Sequence, residues 1–359
     1  MIFVRPHNTV YHSQTTVNNI ATKENFINSL NLKTPGERSM LGYIHGHNEV
    51  KKKEIRPRRK RPEAAKGKFR ETYEHTGQRL GEGAFGSVWT YRDRISREDR
   101  AVKVVQNCNI SRTRNLALHE ITLCRQVQHC SNIIKLIEYF AEGNYIYVVF
   151  EKVQEDLFDL QQCGRRISDP SVVSITRGVS NGLAALHAQG IAHRDIKSEN
   201  ILCERTSEGK PWTAKICDFN ISTDRQELFG LVGSRDFMAP EVVANRFLLP
   251  GESKKAYSKN CDLWSLGVLL YEMVFARVPV DFTYCDNKLC DEFLHTGACE
   301  KCDEMKFTSI LYVPVQYPRC SEESRNVKAV SLLKKLLIFE SEDRLPAADI
   351  ADHPFVCDI

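Results

Sequence analysis

His193-Arg194-Asp195-Ile196-Lys197-Ser198-Glu199-Asn200, followed after seventeen residues by Asp218-Phe219-Asn220, is the run whose reading decides the fold of this chain. Upstream of it, Gly81-Glu82-Gly83-Ala84-Phe85-Gly86-Ser87-Val88 forms a G-x-G-x-x-G-x-V loop between two predicted strands. Glycines there let the backbone N–H groups of a hairpin approach triphosphate oxygens with no side chain intervening. A dinucleotide site would want a helix directly after such a loop, whereas SVWTYRDR continues as a strand. Fifteen residues past Val88 stands Lys103, inside the apolar strand Ala101-Val102-Lys103. An inward lysine is costly there unless its ammonium meets anions, such as a phosphate and a carboxylate. Glu120 is the only acid in the helical stretch Arg112 to Gln128, which makes it the natural partner.

Hydrophobic residues make up 42% and charged residues 27% of the 359, the balance of a globular protein. No run has the eighteen or so uncharged apolar residues of a membrane span, and the N-terminus carries too short an apolar run for a secretory signal. Thirteen scattered cysteines read as reduced thiols, which points to cytosol or nucleus. Residues 1–50 lack a sustained period and are expected to be a disordered leader. Lys51 to Arg70 carries a local charge of +9 in a chain of net +4, so a mildly acidic body bears one strongly basic tract. That tract, with KKKEIRPRRKRP at its start, reads as a flexible linker, as a nuclear-import address, or as an anchor on nucleic acid or acidic lipid.

From Tyr73 the pattern becomes short β-type runs with one helix, and after Asp156 it becomes helical. The expected architecture is α+β and bilobal: a small β-rich lobe over about 72–153 and a larger α-helical lobe over about 154–355. A cysteine-rich insertion falls at about 283–305. Its Cys285, Cys290, Cys299 and Cys302 have the spacing C-x₄-C-x₈-C-x₂-C, which suits either a structural zinc ion or plain reduced thiols.

The catalytic run matches H-R-D-x-K-x-x-N throughout, and Met238-Ala239-Pro240-Glu241 supplies an A-P-E. With Asp262, Gly267 and Arg344 at their expected places, the chain resembles the eukaryotic protein kinase family, serine/threonine type, over about 285 residues. The resemblance implies ATP and Mg²⁺ as cofactors and protein Ser/Thr hydroxyls as acceptors. It makes Asp195 the catalytic base with Lys197 beside the transferred phosphate, has Lys103 grip the phosphates with Glu120 fixing it, and gives Asn200 and Asp218 the metal. Adenine would lie among Leu80, Val88, Ala101 and Leu202, bonded to the backbone of Glu151 and Val153, with Phe150 limiting depth and Asp156 at the ribose. Gly81, Gly83 and Gly86 would cover the phosphates. Lys197 and Ser234 match the serine/threonine form of the family, and Glu199 is a candidate contact for a basic residue in the substrate.

One position departs from the family: D-F-G reads Asp218-Phe219-Asn220. Asparagine best imitates glycine at positive φ, so the expectation is a backbone role there and retained activity. The departure also motivates a competing reading, a scaffold that keeps the fold as a binding module, and nucleic-acid binding through the basic tract is compatible with either. Kinases with Arg194 before the catalytic aspartate commonly clamp a phosphorylated residue with it, yet Arg225 to Val232 contains no Ser, Thr or Tyr. Glu227 could offer Arg194 a permanent but weaker single charge, and Ser222 and Thr223 are expected to belong to a strand beside the magnesium loop.

Overall fold

The computed structural model describes residues 63–83, 86–162, 167–205, 207–248, 252–280, 300–318 and 325–357. The leader at 1–50, most of the basic tract, and Cys285, Cys290 and Cys299 of the possible zinc set lie outside them.

The first lobe is one antiparallel sheet in the order β1-β2-β3-β5-β4. Its strands are β1 (Tyr73–Gly83), β2 (Gly86–Asp93), β3 (Asp99–Val105), β4 (Leu136–Glu142) and β5 (Tyr145–Glu151). Period-2 alternation divides the residues of β3 between two faces. Val102 faces an outer aromatic layer, while Lys103 points inward between Val88 of β2 and Val148 of β5. Against that inner face lies the long helix of this lobe. A short helix, α1 (Phe69–Thr72), precedes β1, and the long one is α2 (Ser111–Gln126). Ala117, Ile121 and Cys124 on α2 are buried, and Glu120 is buried among them.

The packed body begins upstream of Thr72. The Ala65 N–H donates to the Tyr139 carbonyl of β4 at 2.8 Å. Phe69 is 1% exposed and stacks on Tyr147 with centroids 4.0 Å apart and planes 5° from parallel, with Tyr91 and Phe140 edge-on around it. A large aromatic so enclosed contributes several kcal/mol, so the end of the basic tract is held to the outside of the sheet.

The second lobe is helical. A short β6 (Glu155–Asp156) and helix α3 (Leu157–Gln162) lead into α4 (Asp169–Ala188), then β7 (Ile201–Glu204) and β8 (Thr213–Ile216), which pair as β6-β7-β8. α4 lies close on β8: a Cβ at Gly182 would meet the Ile216 Cδ1 at 2.7 Å and the Asn132 carbonyl at 3.0 Å. After a short α5 (Pro240–Val243), α6 (Cys261–Phe275) is buried at nearly every position, as expected of a helix apolar on all sides. It ends at Ala276 in a left-handed cap, φ 55°. α7 (Glu300–Tyr312), α8 (Arg325–Leu336) and α9 (Pro354–Cys357) complete the lobe. Among the described residues no helix is long and apolar enough to cross a membrane.

Candidate active site

The site lies where the two lobes meet, and its charged residues are brought together from both. Lys103 Nζ donates to both carboxylate oxygens of Glu120, at 2.7 and 2.9 Å, and lies 3.5 Å from Asp218 Oδ1. Burial disfavours the ammonium, but the carboxylates of Glu120 and Asp218 outweigh it and hold the Lys103 pKa above its ordinary value. Lys103 therefore stays charged, which a phosphate grip requires.

The catalytic run folds as a loop pinned from below by α6. Asp262, fully buried, accepts from the backbone N–H groups of His193 (2.9 Å) and Arg194 (2.7 Å), and His187 Nε2 lies 3.0 Å from the same carboxylate. Those bonds hold Arg194 at φ 69°, an uncommon conformation for a side-chain-bearing residue. The turn it makes presents Asp195. Ser234 Oγ donates to Asp195 Oδ1 at 2.8 Å and accepts from Lys197 Nζ at 2.9 Å, while Lys197 lies 3.3 Å from Asp195 Oδ2. Asn200 Nδ2 donates to the Asp195 carbonyl (2.8 Å) and to its Oδ2 (2.9 Å). With its amide nitrogen committed, Asn200 has its oxygen as the acceptor to offer.

Phe219 is buried and packs edge-on against His193, whose ring nitrogen lies 3.0 Å from the Cys217 carbonyl. That contact seats Asp218, at φ 64°, beside Lys103. Here one expectation is corrected. Asn220 is not among the residues at positive φ; the left-handed position of this turn is Asp218. Asparagine is therefore not a glycine substitute here, and its side chain is engaged: Asn220 Oδ1 accepts from Lys103 Nζ at 2.5 Å.

The cleft wall follows the same register. Gly86, at φ 150°, lies so close to β3 that a Cβ would stand 2.3 Å from the Val104 carbonyl, so only glycine fits this point of the loop. Val88 and Ala101 on neighbouring strands and Leu202 of β7 are all half-buried, and Leu80 is 39% exposed. The Glu151 N–H donates to the Lys135 carbonyl, so a base approaching this residue must use its carbonyl. Asp156 Oδ1 accepts from the Asp159 N–H, capping α3.

Three features escape sequence reasoning. Lys215 of β8 donates to both oxygens of Glu151, at 2.9 and 2.8 Å, clamping the interlobe connection to the lower lobe. Arg194 Nε donates to the Ile221 carbonyl at 2.7 Å and its side chain also bonds Tyr257, so it is engaged by groups other than the candidate Glu227. Glu272 on α6 is half-buried, and its Oε2 is shut away from solvent without a hydrogen-bond partner. Burial, with Glu199 and Asp236 nearby, pushes its pKa up to about 7. Elsewhere, Arg344 pairs bidentately with Glu241 at 2.6 and 2.7 Å, as the motifs imply.

A metal at Asn200 and Asp218 would meet hard oxygen donors, one of them charged, which suits Mg²⁺ completed by phosphate and water rather than an all-protein cage. Among the described residues there is no cluster of three or more His, Cys, Asp or Glu fit to hold a metal.

Such a bilobal fold, with an ammonium and oxygen donors converging under a glycine loop, defines a phosphoryl-transfer domain. Residues 74–356 match the Protein kinase domain, and the chain belongs to that family, in its serine/threonine branch. It is 33% identical over 302 residues to MAP kinase-interacting serine/threonine-protein kinase 2 of Xenopus laevis, covering 81% of this chain and 62% of that one. It is 32% identical to MAP kinase-interacting serine/threonine-protein kinase 1 of Xenopus tropicalis, covering 82% of this chain and 71% of the other. Against MAP kinase-interacting serine/threonine-protein kinase mnk-1 of Caenorhabditis elegans the identity is 31%, covering 82% and 43%. The chain thus spans from under half to about seven-tenths of these relatives' length.

Proposed function

We propose that the whole protein transfers the γ-phosphoryl group of Mg·ATP to serine and threonine hydroxyls of other proteins, with Asp195 as catalytic base. The observation that carries this is the unbroken chain Lys197, Ser234, Asp195, Asn200, in which each polar group is bonded to the next. A scaffold that had lost catalysis would have no need to hold it. When bound, Mg·ATP supplies the transferable group and the divalent charge that neutralises it. Asp195, oriented by Ser234 and Asn200, accepts the acceptor hydroxyl's proton or aims that hydroxyl. Lys197 places positive charge beside the reacting oxygens. Asn200 and Asp218 hold the cation, and Lys103, fixed by Glu120, grips the phosphates under the backbone of Gly81, Gly83 and Gly86. Leu80, Val88, Ala101 and Leu202 enclose the base, with Glu151 and Val153 offering backbone groups and Asp156 the ribose contact. Little covalent work falls to the protein, so positioning and electrostatics carry the rate.

Glu199 and Glu272 support acceptors flanked by a basic residue, because a cation there would compensate the partnerless Oε2 of Glu272, whereas Asp236 is already paired with Lys306. A peptide array with Mg·ATP tests both statements. Serine and threonine peptides are expected to be labelled, with basic-flanked ones labelled more strongly, and absence of labelling on every peptide would sink the kinase reading.

Basal activity is expected to survive phosphatase treatment. Arg194 already has an acceptor in the Ile221 carbonyl. The segment beyond is tied by Tyr257, whose N–H and carbonyl pair with Leu228 and whose hydroxyl donates to the Gly230 carbonyl. Ser222 and Thr223 are buried, Thr223 pairing with Ala192. Assay before and after phosphatase, beside a Ser222→Ala, Thr223→Ala double mutant, is the check, and collapse of activity in both arms refutes the expectation.

Nuclear residence through an import receptor on Lys51 to Arg70 also belongs to this proposal, motivated by PRRKRP at residues 57–62. Alanines at Arg58 to Arg61 are expected to shift a tagged protein toward the cytoplasm, and an unchanged distribution rejects the address.

A further inference from the structure

We infer that Asn220 sets the affinity of the phosphate site for nucleotide, by occupying with its amide oxygen the one donor of Lys103 that Glu120 leaves available. The inference rests on the reading of Lys103 as the phosphate grip. An ammonium has three N–H donors. Glu120 takes two of them, at 2.7 and 2.9 Å, and Asn220 Oδ1 takes the third at 2.5 Å. Asp218 Oδ1, at 3.5 Å, shares the ammonium as a longer and weaker fourth acceptor.

A phosphate oxygen reaches Lys103 only if one of these bonds is given up. Glu120 and Asn220 are unequal acceptors. Glu120 is 3% exposed, and releasing it would leave a buried carboxylate without its counter-charge, a change that costs far more than a hydrogen bond. Asn220 is neutral and half-buried at the cleft, so its amide oxygen can turn to water. Asn220 is therefore the group that yields, and nucleotide affinity is lower by the worth of its bond. It also couples the turn carrying Asp218 to the upper lobe when no nucleotide is present, so the same bond stabilises the empty protein. Backbone conformation does not explain asparagine at this position, because the positive φ of the turn belongs to Asp218. The acceptor does.

The test uses the full chain with Asn220→Ala, which removes the acceptor while keeping a Cβ, and Asn220→Asp, which puts a carboxylate where a phosphate must approach. Calorimetric titration with ATP and with ADP is expected to show Asn220→Ala binding about tenfold more tightly than wild type, the size of one hydrogen bond to a charged group. Asn220→Asp is expected to bind more weakly than wild type, since it adds a third anion beside Glu120 and Asp218. Without nucleotide, Asn220→Ala should melt lower than wild type and should gain more on saturation with nucleotide. In steady-state assays its KM for ATP should fall by more than kcat changes. Equal or weaker nucleotide affinity in Asn220→Ala, or an unchanged melting temperature of its empty form, overturns the inference. Nucleotide binding without phosphoryl transfer in any of the three proteins would overturn the kinase reading alone, with the order of affinities still deciding the role of Asn220. Nucleotide bound by none of the three overturns both.

Discussion

Asp195→Asn is expected to lower turnover on serine and threonine peptides by about 10³-fold, within the range general-base catalysis supplies, while nucleotide affinity stays within about twofold. The substitution is nearly isosteric, so the loss would be chemical. Asp195 receives three donors: Ser234 Oγ on Oδ1, Asn200 Nδ2 on Oδ2, and Lys197 at 3.3 Å from Oδ2. An amide has one acceptor and one donor end. With its oxygen toward Asn200 and Lys197, its NH₂ meets Ser234, whose hydroxyl can turn to accept, so the site keeps its shape. What is lost is the proton acceptor. The proposed phosphate contacts at Lys103 and the glycine loop lie elsewhere, which is why binding should persist. Steady-state assays in parallel with nucleotide titration separate the two effects. Undiminished transfer would show that Asp195 is not the base, and equal loss of binding would show that it supports the nucleotide site as a whole.

The residues legible in the sequence were those whose chemistry fixes both their type and their spacing. The roles proposed for Asp195, Lys197 and Asn200 all concern one reacting group, and the three fall within six residues. Short β-type runs marked the strands, but strict alternation is lost in β5, where Ile146 to Val149 are all buried because α2 covers one face of the sheet and the Phe69 layer the other. What stayed hidden depends on partners distant in sequence or lacking side chains. The Lys215 and Glu151 clamp joins residues 64 apart with no local pattern around either. Arg194 satisfies itself on a backbone carbonyl, which no residue identity announces. Phe69, one aromatic in a charged stretch, showed no period that would mark it as core, yet four aromatic rings enclose it. Asn220 is used for its side chain and not its backbone, since the positive φ of the turn belongs to Asp218, and no residue identity tells which position of a turn takes it.

Asp262→Ala is expected to destabilise the protein by about 3–5 kcal/mol at neutral pH, as removing one partner from a buried charged network does. Asp262 is fully buried at the first turn of α6, and its oxygens take the N–H groups of His193 and Arg194 and the contact with His187. Alanine would leave two backbone donors unpaired in a site that excludes water, each worth about 1–3 kcal/mol. It would also release Arg194 from φ 69°, and the turn that presents Asp195 would relax with it. Activity should therefore fall further than stability alone explains. The pH dependence has a definite sign. Burial pushes the Asp262 carboxyl up, but the bond and charge of His187, the charge of His193 and the Arg194 N–H outweigh it and leave the pKa below the ordinary aspartate value. A group lowered in the folded state stabilises above its unfolded pKa and loses that contribution as pH falls through the folded one. The gap between wild type and Asp262→Ala should then stay constant from pH 8 to about pH 5 and narrow only below about pH 4, the unfolded aspartate value. Urea unfolding of both proteins across that range measures it, with peptide transfer assayed at pH 7 in parallel. A gap that widens on acidification would mean that Asp262 is protonated in the folded state, and equal unfolding midpoints at pH 7 would mean that the catalytic loop is held by something else.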